Sequence, residues 1–297
     1  MKRIRTWCLL LILLLACMPG RAWGETEPPG IEDAELSGED GFICRFDGVK
    51  HRVLLALPET PEGAPLVLLL PGYGNTAEAF RTQTHFEQEA NARGYAVAYV
   101  TGAPDPNVPT SSVGWHAELD TPGNRDLAFL IALKDCLQET WALDRTRAFA
   151  VGFSNGALMA HCLAMEAGES FTACVSVAGY MPKSVWEARG ESAAVGFFQI
   201  TGEKDDAVPQ NRNGSARFAR APAIEDAMAY WVSANGLEER ETVTVGRDAV
   251  LTKYAGEGSR RQVWDLLLPN GRHSWPSRNI HQFDVNALIL DFFDAQG

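Results

Sequence analysis

The run Phe149-Ala150-Val151-Gly152-Phe153-Ser154-Asn155-Gly156-Ala157-Leu158-Met159-Ala160 places a Gly-x-Ser-x-Gly pentapeptide between a short apolar strand and a helix-forming stretch. On its own the pentapeptide is a tight turn with an ordinary serine. Set between strand and helix, it is the pattern of a nucleophile elbow, in which the serine hydroxyl stands clear of a sheet edge. Glycines flank the turn because a side chain there would collide with the neighbouring strand or helix. The helix that follows aims its N-terminal dipole and its first N–H groups at any oxyanion formed at Ser154. An elbow of this kind demands a mostly parallel sheet beneath it.

A serine nucleophile needs a base, and the base needs an orienting acid; in this architecture both follow the serine, acid first. Only His161, His273 and His281 lie after Ser154. His161 is two helical turns along the elbow helix and faces away from the hydroxyl. His281 opens an amphipathic stretch and reads as a helix-surface residue. His273 sits in Leu268-Pro269-Asn270-Gly271-Arg272-His273-Ser274-Trp275-Pro276, directly after the apolar strand Val263–Leu268, so it can reach over the sheet edge as the base. The acid is expected on the loop Glu203-Lys204-Asp205-Asp206-Ala207-Val208-Pro209, after the strand Phe197–Gly202. Asp205 is assigned the role and Asp206 is the competing choice, since pattern alone does not separate adjacent carboxylates.

A third strand end completes the set. Pro65–Leu70 is a continuous apolar run, as expected of a strand buried on both faces, and it ends in Pro71-Gly72-Tyr73-Gly74-Asn75-Thr76. Glycines at that strand end let the backbone turn an N–H toward the site as partner to the N–H of Asn155. Pro71 has no N–H to give, so the oxyanion donors are assigned to Asn155, Tyr73 and Gly74. Two tryptophans flank these pieces: Trp115 in Ser112-Val113-Gly114-Trp115-His116, and Trp275 two residues past the proposed base. As aromatic side chains at a pocket mouth they are substrate-binding candidates, with loop packing as the other reading.

Patterns along the chain predict a hairpin near 41–58, the strand at 65–70, a helix near 77–93 and a strand over Tyr95–Thr101. A Pro- and Gly-rich loop, a helix near 126–140, the nucleophile strand and helix, and strands near 172–178 and 195–201 follow. Val243–Val245, Val250–Tyr254 and Val263–Leu268 read as antiparallel or final strands. Alternating strands and helices predict the α/β class, with a mostly parallel central sheet covered by helices on both faces. No linker or repeat divides the chain, so residues 41–297 are expected to form a single catalytic domain behind a flexible segment over 25–40.

Four stretches together resemble the polyhydroxybutyrate depolymerase-like esterases of the α/β-hydrolase superfamily, a group close to feruloyl and acetylxylan esterases. They are Leu70-Pro71-Gly72-Tyr73-Gly74, Gly152-Phe153-Ser154-Asn155-Gly156, Gly202-Glu203-Lys204-Asp205 with Val208-Pro209, and Gly271-Arg272-His273-Ser274-Trp275-Pro276. Arg125-Asp126-Leu127-Ala128-Phe129 resembles the start of that family's helix before the nucleophile strand. The family usually carries a histidine where Pro71 stands. The resemblance implies an α/β-hydrolase fold and hydrolysis of hydroxyalkanoate, hydroxycinnamoyl or acetyl esters, without choosing among them.

Lys2, Arg3 and Arg5 precede the apolar core Cys8–Ala16, which is too short to span a membrane. Ala22-Trp23-Gly24 offers a small-x-small cleavage site, so residues 1–24 read as a signal peptide and the protein as exported, extracellular or periplasmic. Leu14-Leu15-Ala16-Cys17 leaves lipid anchoring at Cys17 as the alternative. Beyond the leader, Cys44, Cys136, Cys162 and Cys174 permit disulfides without fixing a pairing. No cysteine or histidine spacing suggests a metal site, and no cofactor is expected. The net charge of −12 disfavours nucleic acid and anionic membranes as partners and suits a neutral small-molecule or oligomeric ester. The expected activity is therefore that of a serine carboxylic-ester hydrolase working through Ser154, His273 and Asp205. A peptidase or acyltransferase on the same scaffold, or an inactive binding protein, are the alternatives.

Overall fold

The computed structural model describes residues 30–38, 40–104, 112–117, 125–190, 194–208 and 221–297; the leader with Gly24 and Cys17, and Pro209, lie outside them. Strands β1 (Glu32–Ser37), β2 (Gly41–Phe46) and β3 (Val49–Ala56) form an antiparallel meander, the last two joined at Asp47-Gly48 with both residues at positive φ. β4 (Leu66–Leu70) is fully buried, and helices α1 (Ala77–Thr84) and α2 (Phe86–Ala92) lead to β5 (Ala96–Val100). A short ribbon pairs β6 (Ala103–Pro104) with β7 (Val113–Gly114). Then follow α3 (Arg125–Thr140), β8 (Ala148–Phe153), α4 (Asn155–Glu166), β9 (Ala173–Val177), α5 (Lys183–Ala188), β10 (Gly196–Gly202) and α6 (Ile224–Ala234). β11 (Glu239–Val245), β12 (Ala249–Ala255), β13 (Val263–Leu268), α7 (Arg278–His281) and α8 (Val285–Asp294) complete the chain.

These strands make one sheet in the order β1-β2-β3-β5-β4-β8-β9-β10-β13-β12-β11. Its centre, β5 to β13, is parallel throughout, while both margins are antiparallel. The continuous apolar runs occupy the centre because helices cover both of its faces. Alternate residues of β4 feed two cores. Leu66, Leu68 and Leu70 pack with Leu133, Met159, Leu163 and Trp231 of α3, α4 and α6 on one face. Val67 and Leu69 pack with Phe80, Phe86, Ile289 and Phe293 of α1, α2 and α8 on the other. Truncating any one of these leucines to alanine is worth about 2–5 kcal/mol. Carboxyl ends of parallel strands open onto one crevice, which is where this architecture places ligands.

Three expectations are corrected here. Residues 32–37, assigned to a flexible segment ahead of the domain, form β1 and pair with β2 despite an exposed, acidic surface. The helix expected over 77–93 is two helices: His85 adopts the left-handed conformation (φ 46°) and caps α1, its N–H donating to the Arg81 carbonyl. β11 begins at Glu239, earlier than the apolar pattern indicated, because it is the edge strand and its outer residues are charged. Among the described residues there is no disulfide: Cys44, Cys136, Cys162 and Cys174 are thiols. Burial pushes the Cys44 thiol up to about 12, so it is inert as a nucleophile.

Candidate active site

Ser154 joins β8 to α4 with φ 53° and ψ −114°, a combination that a non-glycine residue adopts only under constraint. The constraint is visible in the flanking glycines. A Cβ on Gly152 would lie 1.9 Å from the Gly156 carbonyl oxygen, and one on Gly156 would lie 2.1 Å from that of Leu70. The turn is locked to the next strand by the Ser154 N–H, which donates to Val177 O at 3.0 Å.

The second piece comes from two loops stitched together at their backbones. β10 and β13 are parallel neighbours, and the segments leaving them touch where Gly202 meets Gly271. A Cβ on Gly202 would lie 2.6 Å from the Gly271 carbonyl, and one on Gly271 would lie 2.8 Å from the Gly202 Cα. Amides of Glu203 and Lys204 donate to Leu268 O and Gly271 O, each at 2.9 Å. This seam sets Asp205 against His273. Asp205 Oδ2 lies 2.8 Å from His273 Nδ1, and its other oxygen accepts the N–H groups of Ala207 (2.9 Å) and Val208 (2.7 Å). Three donors around one buried carboxyl suit an acceptor-only carboxylate, which makes Nδ1 the protonated ring nitrogen. Nε2 is then an acceptor, and it lies 2.8 Å from Ser154 Oγ. Asp205 is buried and His273 is about a quarter exposed, so the imidazole is reachable while its partner is not. Asp206, one residue on, is exposed and outside this chain of bonds.

The remaining histidines are elsewhere. His161 is buried in α4 with Nε2 3.3 Å from the Gln199 amide oxygen. His281, expected on a helix surface, is buried: its carbonyl accepts the Arg247 N–H, and burial lowers its pKa.

The oxyanion side differs from expectation at one of its three residues. Gly74 (φ 74°) donates its N–H to Val113 O at 2.7 Å, so this amide is already committed to the β7 strand. Gly72 lies against the serine instead, where a Cβ would come within 3.2 Å of Ser154 Cβ. The other two expected donors are Asn155, at the opening of α4, and Tyr73, whose half-exposed ring rests on Gly114. The tryptophans also differ from their substrate-binding expectation. Trp115 is buried and donates its indole N–H to Pro71 O at 3.0 Å. Trp275 is buried edge-on against Phe80 and donates to Asn286 Oδ1 at 3.2 Å. Trp115 ties two loops together, and Trp275 ties its loop to α1 and α8.

Two side chains from the motif stretches tie this side together in roles that the motifs did not indicate. The Asn155 side chain clamps Trp115, accepting its N–H at 2.7 Å and donating to its carbonyl at 3.0 Å. Asp126, in the first turn of α3, accepts the backbone N–H of His116 at 2.7 Å and lies 3.0 Å from its Nδ1. Amide-bearing and acidic side chains beside a serine motif are common, so only the fold could show which backbone they meet.

A model of the esterase family, described as "Putative esterase", matches residues 48–278. The "Putative esterase NocK" of Nocardia uniformis subsp. tsuyamanensis is 28% identical over 262 residues, covering 80% of this chain and 72% of that one. In three dimensions the chain is similar to an acetyl xylan esterase from Aspergillus awamori (TM-score 0.60, 12% identity, 82% of this chain and 94% of that one). It is also similar to a Bacillus cereus carboxylesterase (TM-score 0.53, 17% identity, 83% and 95%). These structural likenesses are fold-level and agree with the α/β-hydrolase architecture described above. With the family model matching well over half of its length, the chain belongs to the esterase family, as a carboxylic-ester hydrolase of α/β-hydrolase fold.

Proposed function

We propose that the protein is a serine esterase in which Ser154 is the nucleophile, His273 the general base and Asp205 the orienting acid. The observation that carries this reading is the His273 ring bridging Ser154 Oγ and Asp205 Oδ2 at 2.8 Å on each side. As Ser154 Oγ attacks the ester carbonyl carbon, its proton passes to His273 Nε2. The tetrahedral oxyanion is held by the N–H groups of Asn155 and Tyr73, with α4 presenting its positive end. Asp205 stabilises the imidazolium and keeps Nδ1–H fixed toward itself. His273 then protonates the departing alkoxide, the alcohol leaves, and the acyl group remains on Ser154. Water enters and gives a proton to the same imidazole as its oxygen attacks the acyl carbon; the imidazolium then returns that proton to Ser154 Oγ as the acid leaves.

Substrates are short or oligomeric neutral esters, in keeping with the acidic chain: hydroxyalkanoate oligomers, feruloyl esters or acetyl esters. A partial similarity to the bifunctional acetylxylan esterase/xylanase XynS20E of Neocallimastix patriciarum (23% identity over 145 residues, 20% of that protein) supports including acetylated glycans. The protein is exported, with its mature start at Glu25 or a lipid on Cys17. Mass spectrometry of the N-terminus from native cell fractions separates these, and an intact Met1 would refute both.

Ser154→Ala should lower kcat on p-nitrophenyl acetate by on the order of 10⁴- to 10⁶-fold while the fold persists. Near wild-type turnover by that variant would remove the serine mechanism. Methyl ferulate, an acetylated xylo-oligosaccharide and a soluble hydroxybutyrate oligomer, assayed beside it, rank the substrate classes.

A further inference from the structure

Segment 113–117 touches every part of the oxyanion side. Val113 O receives the Gly74 N–H, Gly114 supports the Tyr73 ring, and the Trp115 indole holds Pro71 O. Across the cleft, the Trp115 peptide groups are clamped by the Asn155 side chain. Gly102 backs the segment from behind, where a Cβ would lie 2.4 Å from Gly114 O. The walls that carry the Tyr73 and Asn155 amides are thus joined through one short piece of chain. Among the described residues β7 is two residues long and pairs with Pro104 and Ala103, so its place depends on these side-chain fastenings. A further one is Asp126, whose Oδ2 accepts the His116 backbone N–H at 2.7 Å and contacts Nδ1 at 3.0 Å.

Asp126 is 3% exposed and sits in the first turn of α3, where the helix N-terminus favours a negative charge. A buried carboxyl is costly unless its acceptors are used, and here one oxygen takes two N–H groups of a single residue. Two bonds from a rigid sixteen-residue helix fix both the position and the rotation of His116. Rotation matters because Trp115, the preceding residue, meets Asn155 through both of its peptide groups.

We infer that Asp126 is a positioning residue for ester hydrolysis, holding His116 so that segment 113–117 keeps the Tyr73 and Asn155 amides at the spacing a tetrahedral oxyanion requires. The role builds on Ser154 as nucleophile, and it acts on the transition state rather than on ground-state binding. Donors displaced by a fraction of an ångström still admit a planar ester but fit the tetrahedral oxyanion poorly.

Three variants of the full chain test it on p-nitrophenyl acetate, with phosphylation of Ser154 by diethyl p-nitrophenyl phosphate as a second readout. Asp126→Leu keeps the shape and removes both acceptors; kcat should fall about 10- to 100-fold with KM within about twofold, and the phosphylation rate should fall in parallel. Asp126→Asn retains one acceptor oxygen and should recover part of that loss. His116→Ala keeps the backbone bond and removes only the ring bond, so its loss should be smaller than that of Asp126→Leu. If Asp126→Leu fails to fold, the other two variants carry the same kcat-against-KM comparison. Unchanged kcat in Asp126→Leu, or in both of the other variants, overturns the role, as does a rise confined to KM. Wild-type enzyme that resists phosphylation, together with an active Ser154→Ala, would instead remove the nucleophile reading, and this role with it.

Discussion

The two sides of the site are built on opposite plans. On the proposed acid–base side, the working groups are side chains: Asp205 and His273 sit on adjacent loops whose backbones are zipped at Gly202 and Gly271. On the oxyanion side, the proposed donors are backbone amides, and side chains serve as fasteners: Asn155 to Trp115, Trp115 to Pro71, and Asp126 to His116. Losing a reacting side chain removes a chemical step, whereas losing a fastener only loosens a geometry. The first kind of loss should therefore be large and nearly independent of substrate, and the second modest and confined to kcat.

The sharpest break in that comparison lies at the adjacent carboxylates. Asp205→Asn replaces an acceptor-only group with one that can present N–H to His273 and favour the wrong tautomer, so kcat/KM should fall by about 10³- to 10⁴-fold. Asp206→Asn, at an exposed position, should stay within about twofold. Comparable losses in the two variants would mean that the acid is shared between them, and the contrast between the two sides would weaken.

That same division explains what could be read from the chain. Ser154, His273 and Asp205 came forward as the proposed triad because each stands at a strand end, in the order the architecture imposes, and the structure places them in one chain of 2.8 Å contacts. The parallel centre was legible because fully buried strands are unbroken apolar runs, as at Leu66–Leu70. Gly74 was misread because a glycine after a strand signals a turn without saying where its N–H goes, and here it goes to Val113. At Trp115 and Trp275 the substrate-binding and packing readings stayed open, because an indole at a motif looks the same whether it faces substrate or donates within the protein, as these do to Pro71 O and Asn286 Oδ1. Asp126 and Asn155 stood in quoted motif stretches, but their role as fasteners left no pattern, since their partners are peptide groups 10 and 40 residues away. β1 and the start of β11 hid behind polar composition, which is what edge strands require.

Acid should trouble the oxyanion side through a group outside the chemistry. His51 on β3 stacks on Phe129 of α3 at 3.7 Å, one helical turn from Asp126. Burial lowers its pKa from the usual 6.5 to about 4, against the pull of the nearby Asp126 carboxylate. The native state therefore favours neutral His51 more than the unfolded chain does. The contribution is intact above pH 6.5 and is lost as pH falls toward 4, reaching about 2 kcal/mol by roughly pH 5. Urea unfolding at pH 7.5 and pH 5 should show wild type losing about 2 kcal/mol more than His51→Gln between the two conditions. Parallel losses would show that the stacked imidazole is not what makes this side acid-sensitive.

The smallest effect is the most diagnostic. Asn155→Ala keeps the backbone N–H proposed to bind the oxyanion and removes only the two bonds to Trp115, so kcat should drop about 10-fold with KM unchanged. Combining it with Asp126→Asn tests whether the two fasteners act on one element. Both grip segment 113–117, from α4 and from α3, so once either releases it the other has less left to hold. The double variant should then lose clearly less than the product of the single losses, whereas fasteners acting on separate elements would multiply. A multiplicative result would divide the oxyanion side into two independent walls. A sub-multiplicative one makes segment 113–117 a single brace whose two ends rest on the helices before and after the nucleophile strand.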